Sequence, residues 1–200
     1  MVRLAIAERR ELLLQAAWRV LARDGVRAAT TRAICAEAGM PQSSFHYCFE
    51  SRAEVLRIIV TGLLPEQIST TYAALNTDAD GEDFAHEPLS AFFAEVEQNP
   101  RRHAVLYDIT MNAVYDPELA DLATFQYEEY LRTGIAILKR VAERRGFTWD
   151  QPVEVLATAL VSFLDGLVLR YIVDRDAERA RAALKVYGDD LARHAVPADE

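Results

Sequence analysis

Cysteine is scarce in this chain, with only Cys35 and Cys48 among 200 residues. Two cysteines do not build a disulfide framework, and with His46 they offer only three zinc ligands at unsuitable spacing. Packing is the favoured role of these thiols, and a redox-sensing pair is the alternative. The sequence also lacks a Gly-rich phosphate loop, a nucleophile elbow and a metal-ligand cluster. These absences predict a protein that is not an enzyme and holds no cofactor.

Long apolar runs are almost missing as well. Residues 153–173 are long enough to cross a bilayer, but Glu154, Asp165 and Arg170 interrupt them. A charge at the centre of a bilayer is costly, so the run predicts a buried helix of a soluble protein. The first residues contain no apolar signal region, because charged residues begin early. We therefore expect a cytoplasmic protein with no membrane partner.

Glycine and proline are few, eight and seven respectively, and they stand at the boundaries of helical patterns. Ala, Leu, Glu and Arg dominate the remainder, which predicts an all-α fold. Pro65 predicts a kink or break in the fourth helix, because it removes a backbone hydrogen bond. The polar run Asn76–Glu82 predicts a linker.

The net charge is −9, but it is unevenly distributed. Residues 1–52 contain eight arginines and five acidic residues, whereas residues 53–200 contain fourteen basic and twenty-six acidic residues. This asymmetry favours one end that faces a polyanion and a body that is acidic.

The stretch Thr30–Phe49 contains two short helical patterns, Thr31–Ala38 and Gln42–Cys48, joined by Gly39-Met40-Pro41. Glycine suits the left-handed residue that ends a helix, and proline suits the first turn of the next one. Two short helices joined by a tight turn are typical of a helix-turn-helix, whose second helix enters the DNA major groove.

Residues Arg10–Arg57 resemble the DNA-binding domain of the tetracycline-repressor (TetR) family. The matching features are LLLQAAWRVLARDG, Thr30-Thr31, AICAEAG, Tyr47, Phe49 and the SRAEVL run from Ser51 to Leu56. The resemblance implies an amino-terminal three-helix helix-turn-helix domain, residues 1–52. It also implies a carboxy-terminal helical domain for ligand binding and dimerisation, residues 53–200.

The candidate DNA contacts are polar or basic residues at the ends and on the outer side of the two short helices. Hydroxyl groups and Arg at a helix amino end suit phosphates, while Gln, Ser, His and Tyr suit base edges. Arg52 lies where the resemblance places DNA phosphates. The predicted DNA-binding residues are Thr30, Thr31, Arg32, Gln42, Ser43, Ser44, His46, Tyr47 and Arg52.

Aromatic residues and Met cluster in the second half of the chain. Pockets for small molecules are lined by apolar and aromatic groups with a few polar ones, although an aromatic stripe at helical spacing is often plain core. Asp108, Gln126 and Arg170 are candidates for the polar groups. The predicted ligand-binding residues are Phe92, Tyr107, Met111, Tyr127, Tyr130 and Phe163.

The last helical pattern repeats apolar residues at spacings of three and four, which is typical of a helix–helix seam. This helix and the apolar helix before it are predicted to pack against the same two helices of a second copy. The four helices would form the interface between the two chains. The run Leu164–Asp174 also resembles the dimerisation region of TetR-like regulators. The predicted dimerisation residues are Leu164, Leu167, Tyr171, Leu184, Tyr187 and Leu191.

The predicted function is a ligand-responsive transcriptional regulator, most often a repressor in this family, acting as a homodimer on a palindromic double-stranded DNA operator. A small-molecule effector would favour a dimer whose recognition helices no longer fit successive grooves. The alternative is a small-molecule binding or sequestering protein of the same fold without specific DNA recognition. The acidic total charge and Pro41, in place of a hydroxyl cap, are compatible with that alternative.

Overall fold

A computed structural model describes residues 5–75 and 84–198, with side chains for 5–63 and 84–198. These residues form nine α-helices and one pair of short strands. The helices are α1 Ile6–Asp24, α2 Thr31–Glu37, α3 Ser43–Cys48, α4 Arg52–Leu75, α5 His86–Gln98, α6 Pro100–Ala113, α7 Ala120–Arg145, α8 Val153–Asp174 and α9 Ala177–Arg193. The all-α prediction is confirmed. Pro65 does not end α4, and the predicted linker Asn76–Glu82 lies outside the described residues.

The chain divides into two compact units. The first unit contains Met1–Leu64 and Arg101–Phe125, and the second contains Pro65–Pro100 and Gln126–Glu200. The helices α4 and α7 therefore each contribute to both units. The functional boundary after residue 52 stays a prediction.

The first unit is built on α1, whose inward stripe recurs at three- and four-residue spacing. Its buried members are Leu13, Ala16, Ala17, Val20 and Leu21. Gly25 ends the helix with a φ of 83°, a left-handed conformation that glycine adopts without a steric cost. A single 3-10 turn, Val26–Ala28, then leads to α2.

The helix-turn-helix forms where the sequence predicts it. The Thr30 side chain caps α2 by accepting a hydrogen bond from the Ala33 N–H at 3.2 Å. Gly39 provides the left-handed residue of the turn, with a φ of 65°. Phe45 and Phe49 anchor α3, since both are buried and their ring centroids lie 5.3 Å apart.

The second unit packs parts of α7, α8 and α9 around Leu138, Leu156, Ala157 and Leu191. One feature of this unit was not predicted: strands β1 (Phe147–Trp149) and β2 (Ala195–Pro197) pair in antiparallel register. Trp149 also donates its indole N–H to the Leu138 carbonyl at 3.1 Å. These contacts fix the end of the chain to the turn between α7 and α8.

Candidate nucleic-acid interface and ligand site

One side of α3 is buried and the other is exposed. Phe45 and Cys48 face the core, whereas His46 and Tyr47 face solvent, and Tyr47 is 63% exposed. The residues before and at the start of α3, Gln42 and Ser43, are exposed as well, and Ser44 is half-buried. The helix thus presents a polar and aromatic surface without an acidic side chain, and its Gln, Ser and His groups can hydrogen-bond to base edges.

The same surface extends to the amino end of α2. Thr30 and Arg32 are exposed and Thr31 is half-buried. From α1, the Arg9 guanidinium lies 5.8 Å from the centre of the Tyr47 ring. A cation over this ring restrains the aromatic side chain at the exposed surface and adds positive charge beside it.

Arg52 is placed differently from the other predicted phosphate contacts. Its Nε donates to the Ala29 carbonyl at 2.9 Å, and its Nη2 donates to the Val26 carbonyl at 2.6 Å. The guanidinium therefore fixes the connection between α1 and α2, residues 25–29, from the amino end of α4. This role inside the protein was not predicted from the sequence.

We expect Arg52→Ala to lower the free energy of unfolding by about 1–2 kcal/mol, because the carbonyls of the buried residues Val26 and Ala29 lose a charged donor. Denaturant unfolding followed by circular dichroism measures this change. Arg32→Ala is the matched control, since Arg32 is exposed, and it should change stability by less than about 0.5 kcal/mol. Equal stability of the two variants would show that the Arg52 contacts do not stabilise the connection.

Asp108 holds the same connection from α6. Its Oδ2 accepts the Val26 N–H at 2.5 Å, and a Cβ placed on Gly25 would lie 3.0 Å from that oxygen. Near the carboxyl end of α1, the Ala22 carbonyl accepts a hydrogen bond from the Arg101 side chain at 2.6 Å. Asp108 was a candidate polar group for a ligand, but its carboxylate is used here to fix the backbone before α2.

The six predicted ligand-binding residues are divided between the two units. Tyr107 and Met111 belong to the first unit, where Met111 is 55% exposed, and Phe92 is half-buried on α5 of the second unit. Phe163 stacks on Tyr187 of α9 with ring centroids 4.1 Å apart, so it packs between α8 and α9.

Tyr127 and Tyr130 do lie together on α7. Their rings meet edge to face with centroids 5.8 Å apart. The Tyr130 hydroxyl accepts a hydrogen bond from Gln126 at 3.2 Å, and the Tyr127 hydroxyl donates to Asp165 of α8 at 2.8 Å. Burial, followed by the hydrogen bond to Asp165, raises the pKa of Tyr127, so its hydroxyl stays protonated as a donor. Arg170, the third candidate polar group, instead pairs with Asp174 at 3.2 Å.

The predicted dimerisation residues lie mostly inside the chain itself. Leu167, Tyr171, Leu184 and Leu191 are buried, and the Tyr171 ring packs edge to face on Phe93 at 5.1 Å. Leu164 and Tyr187 are half-buried. The regular spacing on α9 is matched by packing within one chain, chiefly against α5, and the role of these residues in a dimer stays a prediction.

A different set of residues leaves an apolar surface uncovered. We call it the outer face of α8, and its members are Val155, Ala159, Ser162, Gly166, Leu169 and Val173, all exposed. Their spacing alternates between four and three, as in a helix–helix seam. The apolar core of α8 has a mean hydropathy of 1.7 and is long enough to cross a membrane, yet only 33% of it is buried. About a third of this apolar segment is buried within one chain, and its outer face is exposed.

The two cysteines are both buried, on α2 and α3. Burial raises the pKa of the Cys35 thiol, which disfavours the reactive thiolate. This placement favours packing over redox sensing.

Two known protein families match this chain, and together they cover most of its length. Residues 13–58 match the tetR family of bacterial regulatory proteins, and residues 83–194 match the carboxy-terminal domain of BetI-type transcriptional repressors. The chain is 27% identical over 173 residues to the nicotine-responsive transcriptional repressor HdnoR of Paenarthrobacter nicotinovorans, covering 86% of this chain and 88% of that protein.

Two solved structures share the fold. The multidrug binding protein EbrR, in complex with imidazole, is 24% identical, with a TM-score of 0.70 and coverage of 96% of this chain and 97% of that one. A protein of Saccharomonospora viridis described as a transcriptional regulator, in complex with choline, is 23% identical, with a TM-score of 0.70 and coverage of 92% and 96%.

Proposed function

Because this chain belongs to the TetR family of bacterial transcriptional regulators, we propose that it is a ligand-responsive repressor that binds a palindromic operator as a homodimer. The observation that carries this proposal is the exposed polar side of α3, held rigidly by buried Phe45 within the matched helix-turn-helix. The resemblance found in the sequence is confirmed, and the DNA-binding regulator is favoured over the sequestering protein.

In this proposal α3 enters the major groove. Gln42, Ser43, Ser44, His46 and Tyr47 would contact base edges or phosphates. The amino end of α2, with Thr30, Thr31 and Arg32, would hold phosphates through free N–H groups and one formal charge. Arg52 would act mainly by fixing the connection before α2, and its charge would add to the attraction of phosphates.

For the dimer we propose the outer face of α8 as the centre of the interface. Its small residues, Ala159, Ser162 and Gly166, allow a second helix to approach closely, and Leu169 and Val173 provide apolar area. On α9, Val186 is 70% exposed and extends the apolar surface. Two copies of α8 and α9 would then form a four-helix interface that fixes the separation of the two α3 helices.

The effector would bind in the second unit and act through α7, which contributes to both units. Near its start, Asp121 of α7 pairs with Arg57 of α4 at 2.7 Å. A movement of α7 would therefore reach the helix that carries Arg52. The effector can shift the dimer only by its difference in affinity for the two arrangements. We propose a regulatory and not a catalytic role, in the cytoplasm.

Titrations on an operator duplex, selected from a random library, and on an unrelated duplex test the DNA-binding face. We expect Gln42→Ala to weaken operator binding about five- to tenfold and to leave binding to unrelated DNA nearly unchanged, because it removes base contacts. Arg32→Ala should weaken both alike and lower the slope of log affinity against log salt by about 1. If both variants bind the operator like the wild type, the assigned face is wrong.

A further inference from the structure

We propose that Arg10 of α1 is a positioning residue for DNA recognition, which sets the orientation of α3 by bridging its carboxyl end to α4. This inference rests on the proposed DNA-binding function and adds a residue that lies outside the predicted contact face. It starts from three contacts of one guanidinium. Arg10 donates to the Cys48 carbonyl and to the Glu54 carboxylate, and it also lies over the Phe49 ring.

The recognition helix α3 is too short to fix its own direction. It has six residues, Ser43–Cys48, and an isolated helix of that length is unstable, so contacts with the rest of the protein must hold it. Among the described contacts, Gln42 provides no side-chain cap at its amino end. Phe45 and Cys48 bury one side of the helix, but apolar packing is not directional, whereas a hydrogen bond is.

Arg10 supplies a directional contact at the carboxyl end of α3. The last carbonyl groups of a helix have no partner within it, and a cation beside them is favoured by the helix dipole. The Arg10 Nη1 donates to the Cys48 carbonyl at 2.5 Å, and the guanidinium carbon lies 4.3 Å from the centre of the Phe49 ring. A charged donor and a ring contact therefore hold the end of α3 to α1.

Glu54 fixes the other side of the guanidinium to α4. Its Oε1 accepts from the Arg10 Nη2 at 2.7 Å, and its Oε2 accepts the Glu50 N–H at 2.8 Å. Burial acts to raise the pKa of Glu54, but the hydrogen bonds from Arg10 and Glu50 together outweigh it. The pKa is therefore lowered, and the carboxylate stays ionised at neutral pH. Arg10 and Glu54 thus join α1, the end of α3 and the start of α4.

The contacts from α1 also reach the exposed side of α3. Arg9, the neighbour of Arg10, lies over the ring of Tyr47, which is 63% exposed on the proposed DNA-binding face. Two successive arginines of α1 thus contact Tyr47 and Phe49 of the same short segment. Base recognition requires atoms placed to within about 0.5 Å, whereas attraction to phosphates depends mainly on charge. A small rotation of α3 would therefore weaken operator recognition and leave non-specific binding unchanged.

Arg10→Lys separates a positioning role from a simple charge contact with DNA. Lysine keeps the positive charge, but its ammonium cannot reproduce the planar fork that reaches Cys48 and Glu54 together. In titrations of the full chain on the selected operator and on an unrelated duplex, we expect operator binding to weaken about tenfold, the size of one lost base contact. Binding to unrelated DNA and the slope of log affinity against log salt should stay unchanged. Arg23→Lys, near the other end of α1 and paired with Asp24 at 2.9 Å, is the matched control and should change neither affinity.

Glu54→Gln provides a second variant in case Arg10→Lys does not fold. It removes the charged partner of Arg10 and should weaken operator binding about three- to tenfold, again without weakening binding to unrelated DNA. The double variant should lose about as much affinity as the weaker of the two single variants, because both changes break the same bridge. Losses that add fully would show that the two residues act separately and would overturn the bridge.

Affinities are compared at a temperature where circular dichroism shows every variant to be folded, so a loss of stability alone does not change them. The inference is overturned if the variants bind the operator like the wild type, or if they weaken binding to both duplexes alike. A wild type that prefers its operator, with variants that keep the full preference, would overturn only the role of Arg10. A wild type without any operator preference would overturn the proposed function and this inference with it.

Discussion

Leu169→Glu is expected to convert the proposed dimer into a monomer and to weaken operator binding by about a hundredfold or more. Leu169 is 51% exposed on the outer face of α8, where two copies would bring the introduced charges together in an apolar interface. A monomer reads only one half-site and loses the gain that comes from linking two binding events, about 10²- to 10⁴-fold. Sedimentation velocity and a mobility-shift titration measure the two effects.

Two controls make this experiment specific. Val114→Glu places the same charge at a residue of the first unit that is 63% exposed, and it should remain dimeric. Leu184→Glu should fail to fold, because Leu184 is buried within its own chain. A stable dimer of Leu169→Glu would remove α8 from the interface, and a folded monomer of Leu184→Glu would restore the seam on α9.

Asp108→Ala should lower the free energy of unfolding by about 2–3 kcal/mol and weaken operator binding. The carboxylate accepts the Val26 N–H at 2.5 Å, and removing it leaves a backbone donor without its charged acceptor. Losing this hydrogen bond weakens the connection between α1 and α2, residues 25–29. The helix-turn-helix that follows is then held less firmly in place. Denaturant unfolding and operator titration both report it.

Asp108→Asn is the matched control, because its amide oxygen can still accept the Val26 N–H. We expect it to keep more than half of the lost stability and nearly all of the operator affinity. If Asp108→Ala is as stable as Asp108→Asn, the contact to Val26 does not hold the connection.

The first helices could be predicted from local sequence alone. Gly39 is the left-handed residue that ends a helix, as predicted, and the Thr30 side chain caps α2. Each of these signals depends on neighbours a few residues away, which is why α2 and α3 could be predicted to within one residue at each end. The strands β1 and β2 were missed because three residues are too few to show an alternating pattern.

The contacts that matter most for the site join distant parts of the chain. Val26 and Asp108 are 82 residues apart in the sequence, and Tyr127 and Asp165 are 38 apart. No local sequence pattern can therefore predict either contact. In the sequence, Asp165 served only as evidence against a membrane span. The anomaly of one carboxylate within an apolar helix was visible, but its partner was not.

The predicted dimer seam shows a second limit of local sequence patterns. The spacing of Leu184 and Leu191 is that of a seam, but a seam within one chain has the same spacing as one between two chains. On α8 the sequence does not show which side is buried and which is exposed, because the helix is apolar nearly all round. Only the burial of each side chain separates the inner face, with Leu167 and Tyr171, from the outer one.

The central claim is that two copies of α3, held at a fixed separation by α8 and α9, bind the duplex together. Selection of bound DNA from a random duplex library, followed by sequencing and by the mass of the selected complex, tests it most directly. We predict an enriched inverted repeat, with half-sites about one or more helical turns apart, bound by chains in even number. No enrichment over the starting library, or an asymmetric site bound by a single chain, would contradict the account.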